Sequence, residues 1–116
     1  MTTVTGLILA ILLMQQPAPV NVGGEWGAVL SLPFGDTNYT LFIEQKGTAL
    51  TGYMLNETGQ FDLKGTITRD QVRFQWDQPD RADMVTFAFN GKLEGRMLNG
   101  SIRVGNVEGT LFAQRR

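Results

Sequence analysis

Three aspartates close together in the sequence form the densest group of side chains that could do chemistry. Asp77, Asp80 and Asp83 flank Pro79 and Arg81, and carboxylates spaced along a loop can bind calcium. The segment lacks the Asp/Asn and glycine positions of a known calcium-binding loop, and acidic side chains normally lie exposed to water. We therefore expect a solvated acidic loop at this point of the chain.

Two residue types that carry much of enzyme chemistry are missing, because the 116 residues include no histidine and no cysteine. Their absence removes Ser-His-Asp and Cys-His nucleophilic systems, the usual zinc sites, and haem ligation by these residues. The alternation of the strands directs Glu44, Asp62 and Glu108 outward, so a pair of catalytic carboxylates would have to lie at a wet rim. We predict that the protein is not an enzyme and uses no metal and no cofactor.

The elements that must position any binding residue are short strands. In Gln71 to Trp76, for example, Val72, Phe74 and Trp76 share one face, and alternation with period two is typical of a half-buried strand. Similar runs predict eight strands, at about 25–32, 38–45, 49–55, 60–68, 71–76, 84–93, 97–104 and 107–114. The predicted fold class is all-β, an eight-stranded antiparallel up-and-down meander barrel, with a two-sheet sandwich as the structural alternative.

A consistent pairing register places the apolar residues of these hairpins on one side. The pairs include Ile67 with Val72, Ile43 with Leu50, Met54 with Phe61, Phe89 with Ile102, and Gly100 with Leu111. A slip of one residue would turn a whole strand inside out. Five glycines share the inward face, at positions 52, 65, 91, 100 and 109, which predicts that the sheet bends there.

Residues 1–22 differ from the rest and are predicted to be an export signal with a linker, leaving residues 23–116 as a single β-barrel domain. Gly6 to Met14 is an unbroken apolar run, too short to span a bilayer as a helix and typical of the core of a secretory signal. No basic residue precedes it and no clear cleavage site follows it, so an N-terminal anchor or a wrongly assigned start is the alternative. We predict a secreted or periplasmic protein with no membrane span in the mature chain.

Charge gives no indication of a nucleic-acid partner. The formal net charge is −1, from ten basic and eleven acidic residues. Nucleic-acid-binding domains carry a basic face or stripe, and none is evident in this sequence. We therefore predict no nucleic-acid binding.

The two ends of the predicted barrel resemble a known superfold. Gly24-Glu25-Trp26 resembles the Gly-x-Trp opening of lipocalins and related calycin barrels, which include the avidins. Ala113-Gln114-Arg115 resembles the closing Ala-x-Arg of small exported bacterial domains of unsettled function. The resemblance implies that Trp26 plugs the closed end of the barrel and that Arg115 packs across it. The lipocalin cysteine pair, long first loop and C-terminal helix are missing.

The opposite end of the barrel is the predicted ligand-binding mouth, where we also expect the longer connections. The predicted mouth and lining residues are Phe34, Tyr39, Leu41, Met54, Leu63, Phe74, Trp76 and Phe87. Such a lining suits a small apolar ligand. The alternative is a filled core, because so short a domain has little core to spare.

Four large outward-facing residues predict a second kind of function. They are Val29, Phe42, Tyr53 and Phe112, and a contiguous apolar stripe marks an interaction surface. The sequence thus predicts an exported, non-catalytic binding barrel. The alternative is a structural barrel that forms homo-oligomers or docks a protein partner through this stripe.

Overall fold

A computed structural model describes residues 20–116 as a closed β-barrel. The strands are β1 (Gly24–Leu32), β2 (Gly35–Lys46), β3 (Ala49–Asn56), β4 (Gly59–Thr68), β5 (Gln71–Asp80), β6 (Asp83–Glu94), β7 (Met97–Val104) and β8 (Val107–Arg115). Each strand pairs antiparallel with the next, and β8 pairs with β1. This closure confirms the predicted up-and-down barrel and excludes the sandwich.

The predicted signal segment lies outside the described residues except for its last three positions. In the part of the chain that the structure describes, no helix is long and apolar enough to cross a membrane.

Every connection between neighbouring strands is a turn of two residues. The turns occupy 33–34, 47–48, 57–58, 69–70, 81–82, 95–96 and 105–106. The expectation of longer connections at one end was therefore wrong, as was the acidic loop: Asp77 to Asp80 pairs with Asp83 to Thr86 in a continuous hairpin. The extension of β5 and β6 was not predicted because its outward-facing residues are polar. The three aspartates do not form a metal site, since residues 20–116 hold no cluster of three ligating groups.

The predicted register is confirmed at β3–β4, β4–β5, β6–β7 and β7–β8. At β2–β3 it was wrong by two positions, because Ile43 lies opposite Gly52 rather than Leu50. The turn is Gly47-Thr48, with Gly47 at a positive φ of 62°. A shift of two residues keeps every side chain on its predicted face, so alternation alone does not distinguish the two registers.

The core is made of apolar side chains from all eight strands, and none of the buried side chains among residues 20–116 is polar or charged. Inward-facing glycines let neighbouring strands approach closely. A Cβ at Gly65 would lie 1.9 Å from the carbonyl oxygen of Arg73, and one at Gly100 would lie 2.3 Å from that of Asn90. Neighbouring strands therefore lie in close contact at these two positions, where a β-carbon has no room.

One end of the barrel is plugged by Trp26, which is fully buried. Its indole nitrogen donates to the carbonyl oxygen of Val22 at 3.0 Å. The Arg115 guanidinium carbon lies 4.5 Å from the centre of the Trp26 ring. The same guanidinium donates to the carbonyl oxygens of Gly23 and Asn21. We refer to this end as the closed end.

The residues just before β1 are part of the folded unit. Val22 is fully buried in the core, and its backbone N–H donates to Oε1 of Gln45 at 2.8 Å. The amide nitrogen of Gln45 donates to the carbonyl oxygen of Val20 at 2.9 Å. The chain therefore enters the barrel at the closed end, which leaves the opposite end as the mouth.

Candidate functional site

The mouth is the end of the barrel formed by the turns at 33–34, 57–58, 81–82 and 105–106. Alternation along the ends of β1, β4, β6 and β7 brings an apolar side chain inward from each strand. These four side chains, Leu32, Phe61, Val85 and Val104, are partly buried and pack on the core. They form an apolar ring that still reaches solvent, and we call it the mouth ring.

A polar cluster lies inside this ring. The Tyr39 hydroxyl donates to Oε1 of Gln78 at 3.0 Å, and the Trp76 indole nitrogen donates to the same oxygen at 2.9 Å. An indole N–H can only donate, so the atom that accepts from it must be the amide oxygen. This fixes the orientation of the Gln78 amide and leaves its NH₂ group directed away from both rings.

Asn56 completes the polar cluster from β3. Its side chain lies close to the Tyr39 hydroxyl, while its Oδ1 accepts from the backbone N–H of Thr58 at 2.9 Å and from the Thr58 hydroxyl at 2.6 Å. Burial is the main cause that raises the pKa of Tyr39. The phenol therefore remains a neutral donor throughout the physiological range.

The Gln78 amide nitrogen has no hydrogen-bond acceptor among residues 20–116, and no side-chain nitrogen or oxygen in this part of the chain is both buried and unpaired. The NH₂ group therefore lies in contact with solvent. It can donate to a ligand that enters the mouth.

Stacked aromatic rings fill the barrel below the polar cluster. The Trp76 ring lies 5.0 Å from that of Phe87 with nearly parallel planes, and 5.9 Å from the ring of Tyr39 edge-on. Phe74 continues the stack toward Phe89, at 4.8 Å between centroids. Aromatic pairs in such arrangements contribute about 0.5–1.5 kcal/mol each beyond their buried area, so these contacts stabilise the floor of the mouth.

The eight predicted ligand-binding residues separate into two groups. Seven of them face the interior and are at most 6% exposed, namely Tyr39, Leu41, Met54, Leu63, Phe74, Trp76 and Phe87. Phe34, in the β1–β2 turn, is 77% exposed. A ligand in this conformation therefore contacts the rim and the polar cluster, whereas the deeper residues support that floor.

Phe34 borders an open groove at the rim. The groove has a volume of about 580 Å³ and is also lined by Asp80, Arg81, Asp83 and Val85. It connects the exposed ring of Phe34 to the mouth ring at Val85. The mouth thus offers an open recess with one aromatic wall, one aliphatic side chain and three charged side chains.

Sequence reasoning missed three residues of this site, Gln78, Asn56 and Val85. Gln78 is two positions after Trp76, so it takes the same inward face once β5 is extended to Asp80. The signal was present in the alternation, but proline and aspartate disfavour strands and concealed it.

The mouth half of the barrel is acidic. When each strand is divided at its midpoint, the mouth half holds seven carboxylates and two arginines, a formal charge of −5. The acidic residues are Asp36, Glu57, Asp62, Asp77, Asp80, Asp83 and Glu108, and the basic ones are Arg81 and Arg103. Such a field repels anions that approach the mouth.

The predicted outer stripe consists of two separate pairs. Val29 lies opposite Phe112 across β1 and β8, and Phe42 stacks on Tyr53 with 5.4 Å between ring centroids. The cross-strand pair formed by Gly27 and Thr40 lies between them. The Arg116 guanidinium covers Gly27, where a Cβ would lie 3.1 Å from its Nε.

Comparison with known proteins supports the fold and identifies no family. No protein-family model matches the chain, and no curated protein sequence matches it. Among solved structures, a redesigned β-barrel, mFAP1, bound to DFHBI, is similar with a TM-score of 0.61. The match covers 82% of this chain and 94% of that chain at 10% sequence identity, so the likeness concerns the barrel architecture alone.

Proposed function

We propose that the protein is a non-catalytic barrel that binds a small, mainly apolar ligand at its mouth. The observation that carries this proposal is the free NH₂ group of Gln78 beside the partly exposed mouth ring. Ligand sites are mostly apolar with a few fixed polar groups, and this combination meets both requirements. The similar barrel mFAP1 is bound to DFHBI, which is consistent with ligand binding by this architecture.

The ligand would lie against Phe34 and Val85 and would accept a hydrogen bond from Gln78. Because the mouth half carries a formal charge of −5, we expect a neutral or cationic molecule rather than a fatty-acid anion. Trp76 is only 1% exposed, so the bound molecule would rest on the aromatic stack without entering it.

Titration with Nile red, a neutral apolar dye, tests this site. We expect saturable binding that Phe34→Ser weakens about five- to thirtyfold, because an apolar aromatic contact of about 1–2 kcal/mol is lost. Phe112→Ser, on the outer surface at 39% exposure, is the matched control and should leave affinity unchanged. Equal weakening in both variants, or no saturable binding, would contradict the proposal.

The outer pairs support a second candidate function, self-association or docking of a protein partner. Phe42 and Tyr53 present a stacked aromatic pair on the outer face, and Val29 and Phe112 present an apolar pair. Sedimentation of the protein and its Phe42→Ser variant distinguishes this function from the first. A monomer in both cases removes self-association.

The export proposal rests on the apolar run from Gly6 to Met14, and we propose a secreted or periplasmic location. Val22 lies in the core, so a processing step that preserves the closed end would have to cut before Val20. Mass spectrometry of the exported protein would locate the cut.

A further inference from the structure

The charges of this protein are separated along the barrel axis although the total is close to zero. The closed half holds eight basic and four acidic residues, a formal charge of +4, against −5 in the mouth half. The basic residues are Lys46, Lys64, Arg69, Arg73, Lys92, Arg96, Arg115 and Arg116, and the acidic ones are Glu25, Glu44, Asp70 and Glu94. This separation is not evident in the sequence. Successive strands run in opposite directions, so each end of the barrel collects charged residues from segments that are far apart along the chain.

Several bases at the closed end are available to an external partner. Lys92 pairs with Asp70 at 3.6 Å, and Arg116 pairs with Glu25 at 3.7 Å. Lys46, Arg69 and Arg96 lie exposed in or beside the closed-end turns. No carboxylate of residues 20–116 lies within 4.0 Å of them.

The N-terminal chain leaves the barrel from this same basic end. Val20 and Asn21 are hydrogen-bonded there through Gln45 and Arg115. Residues 1–19 carry no charged side chain. Five residues, 15–19, join the apolar run to Val20, and five residues span at most about 17 Å. Covalent connection therefore keeps the apolar run close to the basic closed end.

We infer that the closed end docks on a lipid surface that carries anionic headgroups. A single short apolar anchor binds membranes weakly, and stable attachment takes a second signal such as a basic patch. This chain has both signals at one end as long as residues 1–19 remain attached, so the inference applies to the uncleaved protein, in which the apolar run is an anchor. The acidic mouth is repelled by the same surface, so the barrel stands with its mouth toward the solution. The inference is independent of whether the mouth binds a ligand.

Co-sedimentation of the full chain with vesicles tests the inference. One set of vesicles contains phosphatidylcholine alone, and the other contains a third phosphatidylglycerol. We expect much stronger binding to the anionic vesicles. We also expect that binding to weaken as the ionic strength rises from about 0.05 M to about 0.5 M, because salt screens exposed charges. Equal binding to both vesicles, or no binding to either, would overturn the inference.

Two double variants of equal net charge distinguish docking through the closed end from an effect of the protein's total charge. Lys46→Gln with Arg69→Asn removes two positive charges from the closed half, and Arg103→Gln with Arg81→Asn removes two from the mouth half. Each pair removes two positive charges and takes the formal charge from −1 to −3. Arg69 and Arg81 are also matched in backbone, at φ of 58° and 60°, and asparagine tolerates this conformation.

We expect the closed-end variant to bind anionic vesicles at least about tenfold more weakly, from about fivefold per basic side chain. The mouth variant should bind as well as the parent. If both variants lose binding equally, the closed end is not the docking surface. Binding to an oligonucleotide that responds to the variants in the same way would indicate a general anion surface, and it would likewise overturn the lipid assignment.

Orientation gives a separate readout because the chain has no cysteine. A single cysteine at Thr48→Cys, in a closed-end turn, or at Ala82→Cys, in a mouth turn, can carry an environment-sensitive fluorophore. Anionic vesicles should shift the emission of the label at position 48 to the blue and leave that at position 82 unchanged. A shift at position 82 alone would reverse the proposed orientation and refute it.

Discussion

At the scale of single residues, two consecutive arginines near the C-terminus have different roles. Arg115 faces inward on β8, where it contacts the Trp26 ring and donates to Gly23 and Asn21. Arg116 is exposed beside Glu25. Their positions on opposite faces follow from the alternation of a strand, so chemical identity alone does not decide which arginine closes the barrel.

Replacing Arg115 should therefore destabilise the protein far more than replacing its neighbour. Arg115→Met removes the charged hydrogen bonds and the ring contact, and we expect a loss of about 1–3 kcal/mol in the free energy of unfolding. Arg116→Met should change it by less than about 0.5 kcal/mol. Denaturant unfolding measures both, and similar losses in the two variants would contradict this role for Arg115.

The phenol of Tyr39, at the mouth, makes the stability of the folded protein depend on pH. Burial raises its pKa above the ordinary value of 10.0, so the folded state keeps the proton at a pH where the unfolded chain has lost it. The stability due to this protonated group is complete below pH 10.0 and is lost as the pH rises through the folded pKa.

Tyr39→Phe removes this dependence together with the bond to Gln78. We expect the variant to be about 0.5–1.5 kcal/mol less stable at neutral pH. The difference in unfolding free energy between the two proteins should shrink as the pH rises above 10.0. Unfolding curves of both proteins at matched pH values test this, and a difference that grows with pH would contradict it.

At the scale of elements, alternation predicts most of this barrel. It places Phe74 and Phe89 inward and pairs them across β5 and β6, as found. It does not determine the β2–β3 register, because a shift of two residues leaves every side chain on the same face. It also does not predict the polar end of the β5–β6 hairpin. Gln78 was therefore missed, because a hydrophobic pattern detects polar residues only by the strand on which they lie.

Glycine determines how closely neighbouring strands approach, and Gly65 is the clearest example. A Cβ there would lie 1.9 Å from the Arg73 carbonyl oxygen and 2.5 Å from Cα of Phe74. Gly65→Ala should therefore force β4 and β5 apart and cost about 3 kcal/mol or more.

Gly47→Ala is the matched control for this substitution. Gly47 has a positive φ of 62° but open space around it, so alanine should cost only about 1–2 kcal/mol of conformational strain. Thermal or denaturant unfolding compares the two variants. A larger loss at position 47 would show that steric contact between strands is not the cause.

At the scale of the whole molecule, the barrel closes only when the two ends of the chain meet. β1 pairs with β8 from Trp26–Arg115 to Ser31–Thr110, and the backbone N–H of Arg116 donates to the carbonyl oxygen of Glu25 at 3.0 Å. Contacts so distant in sequence are typical of slow, all-or-none folding. Residues beside the seam should therefore affect the stability of the entire domain.

Val22 tests how far this closure extends beyond β1. Val22→Ala opens a cavity beside Trp26, and we expect a loss of about 2–3 kcal/mol in the free energy of unfolding. Val20 is 39% exposed, so Val20→Ala should cost less than about 0.5 kcal/mol. Equal, small effects in the unfolding experiment would show that the folded unit begins only at β1.

Val22 and Arg116, near the two limits of the described chain, lie beside Trp26, at the far side of the molecule from Gln78 and Phe34. A reporter protein fused to either terminus, or a tag that fixes the chain to a sensor chip, would consequently leave the opening unobstructed. All seven connections are turns of two residues, so an inserted peptide would disturb the strand pairing beside it. Ligand selectivity is therefore better changed by replacing side chains at the rim than by lengthening the turns.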